Sequence, residues 1–154
     1  MTGISNSLRR WQLLSAALAL VGLIVSIYLW SFKWGGQLIC GIGGCESVNS
    51  SPYSMLLGIP VAAIGAAGYA ALLVLALWAF FGRNSVPVWL TDVRTIFAGI
   101  GLFFSAYLTG IELFILHAIC QWCMLSATVI TVSFLGLVIE RRIEGALEPG
   151  AEKE

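Results

Sequence analysis

Two pairs of cysteines carry the chemistry this chain can do. Cys120 and Cys123 enclose Gln121 and Trp122, and Cys40 and Cys45 enclose a glycine-rich tetrapeptide, Gly41-Ile42-Gly43-Gly44. Thiols three positions apart share one face of a helix and can close a reversible disulfide. At a helix start, the dipole and the free amides lower the pKa of the first thiol. Cys120 is therefore the expected attacking or attacked sulfur and the more exposed one. Cys123 lies a turn deeper, where a lipid-soluble oxidant would meet it first. The Cys40–Cys45 spacing allows a disulfide without strain, and its glycines would let Cys45 leave Cys40 and travel to Cys120. Exchange runs through a mixed disulfide, so the two Cβ atoms must come within about 4 Å. The static alternatives are a structural bridge and a zinc clip. Zinc wants four convergent cysteine or histidine ligands, and His117 is the single histidine; no metal is expected.

The elements that must position these thiols are membrane spans. Of 154 residues, 59% are hydrophobic and 10% charged, where a soluble domain carries about 25% charged residues. The mean hydropathy is +0.94. Both values exclude a water-soluble fold, and nothing in the chain carries a repeat or a nucleic-acid signature. Four stretches reach the roughly 20 residues a bilayer requires: about Trp11 to Trp30, Leu57 to Phe81, Thr95 to Leu116 and Ile119 to Ile139. The first has a basic start in Arg9 and Arg10 but ends in bulky Tyr28-Leu29-Trp30. It is thus read as a retained span rather than a cleaved leader.

Arg9, Arg10, Arg83, Arg94, Arg141, Arg142 and Lys153 fall on one side of these spans and only Lys33 on the other. The positive-inside rule then puts both termini in the cytoplasm and all four cysteines on the outer, oxidising face. The organisation expected is a cytoplasmic end at 1–10, a redox domain at 11–139 and a charged cytoplasmic tail at 140–154.

The long connection, 31–57, is expected to be a floppy cysteine segment followed by a short helix along the surface. Ser50-Ser51-Pro52 would start that helix. Glycines in the second and third spans, Gly68 among them, are read as close-packing positions. The third and fourth spans should form a tight hairpin. Glu112 lies in a span, where an acid is costly and a functional suspect. It could exchange protons with a quinone; the plainer reading, favoured here, leaves it hydrated at the interface beside His117. Trp30, Trp34 and Trp122 suit an outer aromatic belt, and Trp122 could also wall a ring-binding pocket.

Taken together these residues resemble the vitamin K epoxide reductase family in its bacterial form. The resemblance is carried by Cys40-x4-Cys45, Glu46-Ser47-Val48-Asn49-Ser50-Ser51-Pro52-Tyr53-Ser54, Gly58-Ile59-Pro60, the Glu112 segment and Ala118-Ile119-Cys120-Gln121-Trp122-Cys123. It implies an all-α membrane protein: a four-transmembrane-helix bundle around a quinone (ubiquinone or menaquinone), capped by a short horizontal helix in the outer loop between helices 1 and 2. It implies that Cys40 exchanges with a separate thioredoxin-like or DsbA-like periplasmic protein, that Cys45 passes electrons to Cys120, and that Cys123 faces the quinone. Ser51 matches a family serine that steadies the loop by hydrogen bonding. Vertebrate members carry a tyrosine and an asparagine where this chain has Ala127 and Ser54. Those two, with Cys123, Trp122 and Glu112, are the candidate quinone contacts, and the two changes weaken an epoxide-reducing role.

The function this implies is that of a bacterial inner-membrane thiol–quinone oxidoreductase that forms protein disulfides. A second four-helix disulfide generator, the DsbB type, places its C-x-x-C early in the chain, whereas here it opens the last span. The rival from another class is a soft-metal carrier, for mercury or copper, that uses cysteine pairs as ligands.

Overall fold

The computed structural model describes residues 2–41, 43–82 and 88–147. Helix α1 (Thr2–Ser31) runs into a 3₁₀ turn (Phe32–Trp34), and the cysteine loop leads into helix α2 (Cys45–Ser50). A second 3₁₀ turn (Pro52–Ser54) precedes a hairpin of β1 (Met55–Leu56) and β2 (Ile59–Pro60), paired Met55 to Pro60 and Leu56 to Ile59. Helices α3 (Val61–Phe81), α4 (Val88–Ile111) and α5 (Gln121–Leu147) follow, with a π turn (Glu112–Leu116) closing α4. Among the described residues, four segments are long and apolar enough to cross a membrane: Arg9–Trp34, Val61–Phe81, Trp89–Leu116 and Gln121–Gly145. The chain is a multi-pass, all-α membrane bundle with a short helix between its first two spans, the fold class the sequence implies.

The bundle core is built from small and branched side chains. Ala19, Tyr69, Leu72, Ala98, Val129, Ile130 and Leu137 form one buried cluster. Tyr69 crosses it and its hydroxyl donates to the Ser126 carbonyl at 2.8 Å, so the phenol carries its polar end into a satisfied position.

The end remote from the cysteines is tied by charge. Arg94 Nη1 meets Glu140 Oε1 at 3.1 Å with both side chains fully buried, and Arg94 Nη2 donates to Ser15 Oγ at 2.6 Å. Arg94 is thus not a residue of the connection between the second and third spans. It lies in the first turns of α4, which begins earlier than the hydropathy suggests, because the bonds to Glu140 and Ser15 offset part of the cost of burying it. Arg9 lies 5.0 Å over the Phe80 ring, which places the start of α1 and the end of α3 at this same end. Arg83 and Lys153, also counted for topology, lie outside the described residues.

Two expectations for the outer loop are corrected. The short helix starts at Cys45, where the Gly44 carbonyl accepts the Val48 N–H at 2.9 Å. Ser51-Pro52 instead opens the 3₁₀ turn, as fits a proline in its first position. The cysteine segment, expected to be floppy, is docked in the structure on the start of α5, as described next.

Candidate functional site

Cys40 and Cys45 form a disulfide with Cα atoms 6.3 Å apart, and Cys120 and Cys123 are free thiols. The loop is held against the inner pair by main chain. Gly43 pairs antiparallel with Cys120, and the Gly44 N–H donates to the Ile119 carbonyl at 3.0 Å. Gly43 has φ +100°, a conformation glycine adopts freely, and a Cβ there would overlap the Ile119 carbonyl oxygen. Two side chains reinforce the contact. Trp122 Nε1 donates to the Ile39 carbonyl at 3.0 Å, and the Ile39 N–H donates to the Tyr28 hydroxyl at 2.7 Å. Tyr28 and Trp122 meet edge to face with centroids 5.1 Å apart.

Docking buries one sulfur of each pair. Cys45 is 1% exposed and Cys120 0%, and both belong to one apolar cluster with Val25, Leu29 and Val48. This reverses the expectation that Cys120 is the more exposed of its pair. The loop covers it, whereas Cys123 is half-buried on another side. The Cys123 N–H lies 3.4 Å from Cys120 Sγ. Cys120 precedes the last span by one residue. Hydrogen bonding from the Cys123 thiol, and then from the amides of Cys123 and Trp122, holds its thiol below the ordinary range despite burial and the nearby Glu112 charge.

Glu112 is 4% exposed, not hydrated at an interface. Its Oε2 accepts the Cys120 N–H at 3.1 Å, and its carboxyl also meets the Cys123 thiol. The turn after α4 makes this possible. His117 takes a left-handed conformation (φ 48°) and the Ala118 N–H returns to the Glu112 carbonyl at 3.2 Å. The chain therefore doubles back and sets the first amide of the C-x-x-C over the carboxylate. His117 itself is exposed.

On the far side of Cys123 lies an apolar cavity of about 670 Å³, walled by α3 and α4. That size falls within the roughly 300–1,000 Å³ usual for small-molecule sites. Cys123, Glu112, Ser51 and Ser54 line it, with Lys33 and Asn49. Trp122 does not line it: one position before Cys123, it is turned about 100° around the helix and is engaged with the loop. Ala127 does not line it either, although its neighbour Ser126 does. Ser51 is buried and its hydroxyl donates to the Val48 carbonyl at 2.7 Å, so it fastens the end of α2 rather than a cysteine. Gly68 faces this space: a Cβ there would meet nothing within 4 Å. It opens the cavity instead of packing helices.

Two further residues belong to this wall that the motifs do not single out. Asn49 is buried and its Nδ2 donates to the Cys45 carbonyl at 3.1 Å; an asparagine one helical turn past a cysteine is the signal that could have marked it. Lys33 was counted only as a charge. Its Nζ donates to the Asn49 carbonyl at 2.6 Å and to Ser54 Oγ at 2.8 Å.

A disulfide held against a buried dithiol, inside a bundle of membrane spans, is the apparatus of a membrane protein of thiol redox chemistry. Residues 13–138 match the Vitamin K epoxide reductase family. The chain belongs to that family and is a membrane oxidoreductase.

Proposed function

We propose that the chain is a thiol–quinone oxidoreductase that generates protein disulfides on the outer face of a bacterial inner membrane. One observation carries this reading. Cys120 is buried in one apolar cluster with Cys45 of the loop, and Cys123, which packs on that cluster, is the one of the two free thiols that lines the apolar cavity. A dithiol placed in that way can take electrons from one side and hand them to the other.

In this scheme a reduced thioredoxin-like protein reduces the Cys40–Cys45 disulfide and leaves oxidised. The Cys45 thiolate attacks Cys120 in a Cys120–Cys123 disulfide, and Cys123 leaves as thiolate. Cys40 then attacks Cys45, which restores the loop disulfide and frees Cys120. The inner dithiol closes to its disulfide as two electrons and two protons pass to a quinone, which departs as quinol. Glu112, in contact with the Cys123 thiol, is placed to take up a proton as that sulfur is oxidised. The loop disulfide closed and the inner pair free is the form this scheme puts just before quinone reduction. The higher potential of the quinone supplies the drive. The cysteine face is outward because the basic residues gather at the opposite end.

The test is the purified protein with a reduced thioredoxin-like substrate, followed by quinone absorbance. Loss of quinone absorbance with either ubiquinone or menaquinone is expected; no change with both overturns the reading. Gly68→Leu locates the site. The added side chain enters open space, so the fold should survive. The KM for quinone is expected to rise about tenfold or more, equivalent to about 1.4 kcal/mol of lost binding. Reduction of the loop disulfide by a dithiol should not change. Wild-type quinone kinetics in this variant would place the quinone elsewhere.

A further inference from the structure

Among the described residues, Lys33 is the one lysine or arginine at the cysteine end and the one cation lining the cavity. An ammonium has three N–H donors and no acceptor. Two are committed to the Asn49 carbonyl and Ser54 Oγ. The two serine hydroxyls beside it are committed too. The Ser54 hydroxyl donates to the Ser51 carbonyl at 2.7 Å, and the Ser51 hydroxyl donates to the Val48 carbonyl at 2.7 Å. Each hydroxyl has a single proton, so neither serine has one left for a guest. At this wall the third N–H of Lys33 is the charged donor that remains.

We propose that Lys33 hydrogen-bonds a carbonyl oxygen of the bound quinone and stabilises the negative charge that grows there during reduction. The inference rests on the quinone reading above. The electrons leave the Cys120–Cys123 dithiol, which becomes a disulfide. Both protons delivered to the ring come from that dithiol by way of its surroundings, and Lys33 keeps its own proton throughout. The ammonium is fixed in place by its two cap bonds before the ligand arrives. Such a preformed donor acts on the charge that develops rather than on the neutral ground state. The ligand class is thereby narrowed to rings bearing a carbonyl oxygen, with an apolar body to fill the remaining cavity.

The experiment compares wild-type protein with Lys33→Gln, Lys33→Met and Lys33→Arg in two separate assays: reduction of the Cys40–Cys45 disulfide by a small dithiol, and reduction of added ubiquinone or menaquinone. Lys33→Gln and Lys33→Met are expected to lower the maximal rate of quinone reduction about tenfold or more. Loss of one donor to a developing oxyanion costs about a hundredfold in an enclosed site, and Lys33 is only half-buried. The KM for quinone should change less than the rate, loop reduction should stay at the wild-type rate, and Lys33→Arg should recover most of the loss. A wild-type maximal rate in either neutral variant overturns the inference, as does an arginine variant no better than glutamine. A parallel fall in both assays, or failure of both neutral variants to fold, would make Lys33 a tie of the cap and overturn it as well. Wild-type protein that reduces no quinone removes the function itself, a result distinct from all of these.

Discussion

Cys123→Ala is expected to abolish quinone reduction outright. The reason is stoichiometric: two electrons must leave a pair of thiols, and without Cys123 the inner disulfide beside the cavity cannot close. Cys120 remains beside Cys45 in the same buried cluster. Its thiolate can attack the loop disulfide, which gives a Cys45–Cys120 bond and a free Cys40 thiol. In the wild type, Cys123 resolves such a link; in the variant only the return attack by Cys40 does. The Cys45–Cys120 species is therefore expected to accumulate, and peptide mapping under non-reducing conditions after alkylation would detect it. A protein with two static bridges would yield no such species. Residual quinone reduction above the uncatalysed rate would mean that Cys123 is not the sulfur that faces the quinone.

The parts of this molecule that the sequence makes legible are those set by composition and spacing. Four apolar runs of bilayer length define the spans, because in lipid a helix satisfies its backbone hydrogen bonds within its own segment. The spacing of Cys120 and Cys123 on one helix face defines a dithiol. What the sequence conceals is set by contacts between distant segments. Glycines around Cys40 and Cys45 suggest mobility, yet Gly43 serves to let the loop backbone touch Ile119 and Cys120. The exposure order of Cys120 and Cys123 was inverted for the same reason, since the covering loop lies some 75 residues away in the chain. Glu112 announced itself as costly in an apolar run. Its partner, the Cys120 amide, depends on a left-handed His117 that no local pattern foretold. Trp122 suits either an outer belt or a ring pocket by type, and only the direction of its side chain, engaged with Ile39 of the loop, takes it out of the cavity. Lys33 was visible as a lone outer charge, whereas its place on the cavity wall is a tertiary fact.

Gly43→Ala is expected to uncouple the two cysteine pairs while leaving each pair chemically intact. At φ +100° an L-side chain is strained by about 1–3 kcal/mol, and its Cβ would in addition overlap the Ile119 carbonyl oxygen. The loop can relieve both only by lifting from Cys120, since the carbonyl belongs to the residue that fixes the start of α5. Together the two penalties lower the docked population by about a hundredfold. Turnover driven by a thioredoxin-like substrate should fall by the same factor. Alkylation of Cys120, slow in the wild type because the loop covers it, should accelerate. Quinone reduction by an inner pair reduced chemically beforehand should proceed at the wild-type rate, because the cavity and Cys123 lie on the other side of the helix start. Transfer that persists with Cys120 still shielded would mean that main-chain docking at Gly43 is not what brings Cys45 to Cys120. If transfer instead persists with Cys120 freely alkylated, the loop delivers Cys45 from an undocked state, and the glycines matter for their mobility after all.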